Sequence, residues 1–336
     1  MARNLTECMT DSTQVRPFDW RDLPLLNRVR REGLCFHSQV AFTRGPQPLQ
    51  NALLDSLTPG RSECTIVVRD RQDGAPDLIG QVNHPYQARV ARLTFVGPAD
   101  GLQTGAGGHL LDALASSVGR RGAHNLVAEV DEHSPAFESL RLAGFAIYAR
   151  QRLWQCVPKD LPAPSPEHPI WEPEREVDHT AIGGLYQNLV PALVQQVEPD
   201  PVAARKGLVF YQDGELLGYA DIDKGPHGVW LHPFIHPASE ESEAMILGLL
   251  HAVSADDHRP VFLCVRSYQG WMNAKLSRMG IQQWVDQAVM VKRLAARVRR
   301  PSHSPISAFE GTRPEPTAPY APVIEHRPPS RTQETL

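Results

Sequence analysis

The sequence lacks any long apolar run. Its longest apolar stretches, such as residues 244–250, fall well short of the roughly 20 residues that a membrane-spanning helix needs. Residues 1–10 include the charged Arg3 and Glu7 and contain no apolar segment typical of a secretory signal. We therefore expect a soluble protein with no membrane partner.

Cysteine and excess charge are also scarce. Five cysteines stand apart among 336 residues, so no disulfide framework is indicated and a reducing, cytoplasmic location fits best. The 34 Lys and Arg residues against 38 Asp and Glu residues leave a net charge of −4. Because this balance gives no overall basic surface, we expect no nucleic-acid partner, and a local arginine cluster at residues 293–300 is more typical of a solvated helix end.

Proline, by contrast, is concentrated in two places. Residues 158–174 contain six prolines, a density that neither a helix nor a central strand tolerates, so we interpret them as a linker. Residues 299–336 combine proline with polar residues and few apolar ones, which predicts a disordered tail. The remaining segments, 13–157 and 175–298, are the two domains that a chain of this length suggests.

A glycine-rich segment follows the predicted strand that ends near Val96 and opens a helix that runs to about Arg121. Gly105, Gly107 and Gly108 leave backbone amides accessible, and the helix start adds a partial positive charge that suits a pyrophosphate. Glycines at such a turn also occur for close packing alone. No Lys-Ser/Thr pair follows them, which argues against a P-loop, and the preceding antiparallel strands argue against a dinucleotide-binding unit.

This segment resembles the acetyl-CoA-binding motif Gln/Arg-x-x-Gly-x-Gly/Ala of the GNAT acyltransferase superfamily. Residues 102–107 match both glycines, while the glutamine is displaced by one position, to Gln103. The likeness covers residues 13–157, from Val15-Arg16-Pro17 to the closing Gly144-Phe145 turn. It implies an α+β fold in which a mixed, mostly antiparallel sheet is flanked by helices.

The resemblance also implies acetyl-CoA as a co-substrate. Its pantetheine arm would then bind the strand edge at Val96, and its pyrophosphate would bind the loop. The cofactor-binding residues implied in this way are Val96, Gln103, Thr104, Gly105, Ala106, Gly107 and Gly108.

The second half of the chain repeats the first. Gly144 corresponds to Gly280, and Leu140 to Leu276, at a common offset of 136 positions. Residues 237–243 are rich in glutamate where the first half has glycines, so we expect no ordinary CoA binding there. The chain therefore resembles tandem GNAT proteins with one degenerate copy. Because the two copies can pair with each other, we expect a monomer.

In this family an amine attacks the thioester directly, a base removes its proton, and a tyrosine commonly serves as the acid. Leu140 stands where that tyrosine is expected. The candidate catalytic residues are Asp131, Glu132 and His133 at the end of one predicted strand, and Tyr268 at the exit of another. Each also has a structural interpretation, as charges near a helix, a helix cap or a packing surface between domains.

Two functions remain open. The first is an acetyl-CoA-dependent N-acetyltransferase that acts on an amine of a small molecule or peptide. The alternative is a non-catalytic pseudo-acetyltransferase that binds acyl-CoA or another protein, and the missing tyrosine favours it. His232 and His236 share one face of a predicted strand without a third ligand, so we assign no metal.

Overall fold

A single sheet of 13 strands forms the framework of the part of the chain that the structure describes. The structure is a computed structural model, and it describes residues 13–57, 62–70, 76–163, 168–198, 207–237, 239, 241–255 and 258–294. The predicted disordered tail lies outside these residues. The predicted domain boundaries stay predictions.

The strands, in chain order, are β1 (Thr13–Pro17), β2 (Leu34–Cys35), β3 (Glu63–Asp70), β4 (Leu78–Asn83), β5 (Val90–Gly97), β6 (Asn125–Asp131), β7 (Ala146–Cys156), β8 (Glu172–Pro173), β9 (Gly207–Gln212), β10 (Glu215–Lys224), β11 (Val229–Ile235), β12 (Val261–Arg266) and β13 (Gln282–Arg293). The helices are α1 (Leu23–Val29), α2 (Ser38–Thr43), α3 (Pro48–Leu57), α4 (Gly105–Arg120), α5 (Pro135–Leu142), α6 (His179–Leu189), α7 (Ala192–Gln195), α8 (Ser242–Ser254) and α9 (Trp271–Arg278). None of these helices is long and apolar enough to cross a membrane.

The order of the strands shows that the two halves of the chain share this sheet. It runs β1-β3-β4-β5-β6-β13-β7-β12-β11-β10-β9-β8, with β2 paired to β5. The last strand of the second half, β13, pairs with β6, and the last strand of the first half, β7, pairs with β12. Among the described pairs, β5–β6 and β11–β12 are parallel and the others antiparallel. The predicted α+β class is therefore confirmed.

Helices cover both faces of the first half because its strands alternate in the direction of their side chains. Ile66 and Val68 face a core beneath α4 and α5, whereas Val67 between them faces α1 and α3. Helix α4 contributes Leu110 and Leu114, which are fully buried and four positions apart on one helical face. In the second half, α8 and α9 cover a core of their own.

Helix α2 was not predicted, and it joins the two halves. It follows the first half's β2, yet Phe42 stacks on Phe262 of β12 with ring centroids 4.5 Å apart. Just beyond the helix, Arg44 donates two hydrogen bonds to Asp223 of β10, at 2.7 and 3.0 Å. The apolar contact and the double hydrogen bond anchor α2 to the second half.

One predicted helix is divided in the structure. The sequence predicts one helix from Thr180 to Gln196, but α6 ends at Leu189 and α7 begins at Ala192. Pro191 lies between them, and a proline has no N–H for the helix and disfavours helical backbone at the residue before it. Val190 accordingly has an extended conformation, with φ −90° and ψ 127°.

Candidate functional site

The first turn of α4 is open at two of its glycines. A Cβ added to Gly105 or to Gly108 would meet no side chain or neighbouring segment within 4 Å. Gly107 differs, because a Cβ there would lie 2.4 Å from the carbonyl oxygen of Leu102. Packing alone therefore requires glycine at position 107, whereas Gly105 and Gly108 leave space above the helix start.

No side chain caps this end of α4. The hydroxyl of Thr104, at the N-cap position, instead donates to the carbonyl oxygen of Gly101 at 2.7 Å. Gln103 is exposed, Thr104 is half-buried and Ala106 is buried. The amides of Thr104 and Gly107 donate to the carbonyl oxygens of Gly101 and Thr104, at 3.2 and 3.0 Å. An anion would therefore meet the other amides of this turn, where the helix dipole favours a negative charge.

Strands β5 and β6 diverge close to this helix start. They pair at three positions, from Val90 with Asn125 to Arg92 with Val127. Beyond that point the chain segment 33–38 lies between them, and we call this segment the strap.

The strap is hydrogen-bonded to both strands. Its Leu34 pairs with Val96 of β5, and the amide of Phe36 donates to the carbonyl oxygen of Thr94 at 3.2 Å. On the other side, the amide of Glu129 in β6 donates to the carbonyl oxygen of Phe36 at 2.9 Å. Val96 is also paired with Gly80 of β4. Both edges of β5 are therefore occupied at Val96, where the resemblance places the pantetheine arm.

Glu129 is a buried carboxylate beside the strap. Its side chain is about 6% exposed, one oxygen accepts the Ser38 amide at 2.7 Å, and the other lies 4.0 Å from the guanidinium of Arg92. Burial disfavours the charged carboxylate, but the charges of His37, Arg266 and Arg92, with the Ser38 amide, outweigh it and lower the pKa of Glu129 below its ordinary value. Glu129 is therefore ionised at neutral pH.

A second buried ion pair lies at the end of β12. Arg266 donates to Glu198 at 2.6 Å, and the hydroxyl of Tyr148 donates to the same carboxylate oxygen at 2.6 Å. Burial disfavours the charged guanidinium, but Glu198 outweighs it and holds the pKa of Arg266 well above its ordinary value. Burial also raises the pKa of Tyr268, whose hydroxyl has no hydrogen-bond partner among the described residues.

Comparison with known proteins finds several solved structures that are similar to this chain. No family model matches the chain, and no curated protein matches its sequence. A tandem GNAT protein from the clavulanic acid biosynthesis pathway is similar, with 16% identity, a TM-score of 0.49, and 84% of this chain and 98% of that one covered. A GCN5-related N-acetyltransferase from Sphaerobacter thermophilus has 13% identity, a TM-score of 0.48, and coverages of 85% and 96%.

An acetyltransferase from Colwellia psychrerythraea is similar at 10% identity and a TM-score of 0.44, with 83% of this chain and 99% of that chain covered. All three are GNAT proteins. At these identities and scores, any functional interpretation has to come from the residues of this chain.

Three of the predicted catalytic residues lie together on an exposed rim at the end of β6. His133, whose side chain is 91% exposed, has its Nδ1 3.2 Å from a carboxylate oxygen of Asp131. Glu132 accepts a hydrogen bond from Arg150 at 2.6 Å. Glu132 and His133 help to line a cavity of about 310 Å³, together with the Arg152–Asp286 ion pair. Tyr268 is not among the residues that line this cavity.

The helix-cap interpretation of His133-Ser134-Pro135 is confirmed. The hydroxyl of Ser134 accepts the amide of Ala136 at 3.3 Å, and Pro135 is the first residue of α5. This finding explains the sequence at these positions without a catalytic role, and the role of His133 stays a prediction.

Sequence reasoning missed Glu129 and Ser38. A signal for the first was present, because a single carboxylate interrupts the apolar residues 126–130 and a buried charge needs partners. Its partners come from distant segments, so the pattern gave no indication of which residues they are. No group of three His, Cys, Asp or Glu side chains within the described ranges could hold a metal ion.

The start of α8, in the second half, differs from that of α4. Ser242 accepts a hydrogen bond from Lys275, and Glu243 forms an ion pair with Arg278. At the start of α8, Ser242 and Glu243 therefore occupy the place that open glycines have in α4, and each binds a basic residue. An incoming pyrophosphate would meet carboxylate charge at this helix start.

Proposed function

We propose that the chain is an acetyl-CoA-dependent N-acyltransferase of the GNAT type, with its acyl-donor site in the first half. The observation that carries this proposal is the start of α4, where Gly105 and Gly108 leave open space above an uncapped helix turn. This turn follows β5, which diverges from its parallel neighbour β6, and the strap occupies the gap between the two strands. The GNAT resemblance of residues 102–107 points to the same ligand.

The residues at the helix start suit a pyrophosphate. We assign its binding to the backbone amides around residues 103–108, with Gly105 and Gly108 providing the space. Acetyl-CoA supplies an acyl thioester, from which the acyl group passes to the amine nitrogen while the thiol is released. The chain itself must position the amine and accept the proton that the amine loses.

Glu129 is our candidate for that proton acceptor. It lies on β6 at the divergence of the two strands and is ionised at neutral pH, which is the form that accepts a proton, while its lowered pKa makes it a weak base. Arg92 and Ser38 fix the orientation of the carboxylate. Asp131, Glu132 and His133, at the nearby rim, stay candidates for contacts with the acceptor, an amine of a small molecule or peptide.

We also propose that the protein acts as a monomer. Strand β7 of the first half pairs with β12 of the second, and β13 of the second half pairs with β6 of the first. This exchange of final strands between the halves completes the sheet within one chain. A strand contributed by a second copy has no open place at the centre of this sheet.

A non-catalytic, acyl-CoA-binding or protein-interaction module is the second candidate function. Two observations favour it. The first is that the strap fills the gap between β5 and β6. The second is that Leu140 stands where the family commonly has a tyrosine acid, and it is completely buried in the core beneath α4 and α5. A protein of this kind would bind the acyl donor, or a partner protein, without transferring the acyl group.

Release of free thiol from acetyl-CoA separates the two functions. The full chain is incubated with acetyl-CoA and a panel of amino acids, polyamines and short peptides, and thiol is measured with and without each amine. An N-acyltransferase gives amine-dependent release, which Glu129→Gln lowers by about 100-fold if Glu129 is the proton acceptor. Binding of acetyl-CoA without release for any amine favours the module, and no binding contradicts both acyl-CoA-dependent functions.

A further inference from the structure

The strap has the form of an inserted strand. Its Leu34 and Cys35 pair with Val96 and Phe95 of β5, and its Phe36 also receives the amide of Glu129 from β6. The fit is close, since a Cβ on Gly33 would lie 2.2 Å from the ring of Phe95. The strap thereby uses the row of backbone N–H and C=O groups that β5 directs toward β6.

The C-terminal end of the strap is held by side chains and backbone of several elements. At the end of the strap, the Ser38 amide donates to Glu129 at 2.7 Å and its hydroxyl donates to Gln287 of β13 at 2.8 Å. Beyond it, α2 is fixed to the second half, where Asp223 accepts hydrogen bonds from Gln39 at 2.9 Å and from Arg44. The degenerate half thus holds in place a segment that closes the gap of the other half.

We propose that the strap is an internal competitor of the acyl donor, and that it must leave the gap between β5 and β6 before the amide-containing arm of acyl-CoA pairs with β5. This inference rests on the proposed function. A strand edge has one row of donors and acceptors, so the strap and the arm cannot pair with the same residues at the same time. The apparent affinity for acyl-CoA then equals the intrinsic affinity multiplied by the fraction of molecules in which the strap is out.

Departure of the strap also uncovers Glu129. The Ser38 amide and the carbonyl of Phe36 bind this residue only while the strap is in place. When they leave, one carboxylate oxygen of Glu129 loses its backbone donor. Entry of the arm and exposure of the candidate proton acceptor are therefore a single event, which keeps the acceptor carboxylate covered until the donor is bound.

A matched pair of variants at one position isolates the strap's contact with Glu129. Ser38→Pro removes the amide N–H and the hydroxyl, whereas Ser38→Ala removes the hydroxyl alone. Proline is compatible with the fold, because Ser38 is the first residue of α2 and His37 before it is extended, with φ −136° and ψ 94°. The difference between the two variants reports on the hydrogen bond from the amide to the carboxylate.

Two probes separate this inference from the proposed function. Acetyl-CoA carries the arm, whereas adenosine 3′,5′-bisphosphate has the phosphorylated nucleotide end and no arm. Each is titrated calorimetrically into the full-length wild type and both variants. Hydrogen exchange at the amides of Leu34, Phe36 and Ser38 is measured in the wild type with each probe, which gives a readout that depends on neither catalysis nor a substitution.

The inference predicts that acetyl-CoA speeds exchange at the strap amides and that the bisphosphate does not. It also predicts that Ser38→Pro binds acetyl-CoA about tenfold more tightly than Ser38→Ala, with equal affinities for the bisphosphate. Acetyl-CoA binding with strap amides as protected as in the free protein would overturn the inference and leave the proposed function standing. If neither probe binds, the proposed function fails, and the inference fails with it.

Discussion

Gln151 of β7 and Gln287 of β13 are antiparallel partners at the middle of the sheet, and the Gln151 side-chain amide donates to the Gln287 oxygen at 2.8 Å. The two residues are 136 positions apart, the same offset that relates Leu140 to Leu276. A residue that pairs with its own counterpart marks a local twofold relationship between the halves. The two halves thus meet as two subunits of a symmetric dimer would, but within one chain.

The exchange of final strands predicts that the first half alone does not form a stable monomer. A fragment of residues 13–157 would have β6 without β13 and β7 without β12, which leaves strand edges exposed. We expect this fragment to self-associate or to stay unfolded in light scattering coupled to size exclusion. Coexpression with residues 158–298 is expected to yield a one-to-one complex. A monomeric 13–157 fragment with cooperative unfolding would contradict this account of the sheet.

Two neighbouring glycines of α4 are expected to respond in opposite ways to alanine. Gly107→Ala places a Cβ 2.4 Å from the Leu102 carbonyl oxygen, and such overpacking costs about 1–3 kcal/mol of unfolding free energy. Gly108→Ala meets open space and gains up to about 1 kcal/mol from helix propensity. Urea unfolding of both variants tests this. Equal effects of the two substitutions would show that the packing difference is wrong.

The pH dependence of stability is expected to include a contribution from Glu129. Its pKa is lowered in the folded state, so its stabilising effect is present above the unfolded pKa of about 4.3 and is lost as the pH falls through the folded pKa. In Glu129→Gln this part of the acid dependence is absent. Unfolding free energies measured between about pH 3 and pH 7 check the difference, and parallel curves for the two proteins would argue against it.

The buried and exposed ion pairs of the second half are expected to differ in cost when broken. Arg266→Met leaves the Glu198 carboxylate, 12% exposed, without its cation, and we expect a loss of about 3–5 kcal/mol. The matched control is Arg278→Met, which breaks the exposed pair with Glu243 at a cost of about 0–1 kcal/mol. Thermal and urea unfolding report both. A loss below about 1 kcal/mol for Arg266→Met would contradict the buried-pair interpretation.

Local patterns were sufficient to predict much of the fold. The cap at Ser134 and the apolar spacing of α4 are properties of neighbouring residues, and the structure confirms both. The repeat was visible in the offset of 136, and the element order of the two halves follows it. The exchange of β7 and β13 could not be predicted, because a strand's pattern shows which face is buried and not which strand lies beside it.

The strap was missed for a related reason. Its strand, β2, has two residues, too few for an alternating pattern, and its partners Val96 and Glu129 are 62 and about 90 positions away. The glycine-rich helix start was predicted because a turn of this kind is contiguous in sequence. The buried ion pairs were not, since Arg266 and Glu198 are brought together by the packing of separate elements.

Calorimetric titration of acetyl-CoA into the full chain and two aspartate variants tests the proposed acyl-donor site at α4 most directly. Gly108→Asp puts a carboxylate at the start of α4, and Gly184→Asp makes the same change at an equally open glycine of α6. We predict one site per chain, at least about tenfold weaker binding for Gly108→Asp, and an unchanged affinity for Gly184→Asp. Equal affinities in all three proteins, or no binding at millimolar acetyl-CoA, would contradict an acyl-donor site at this helix.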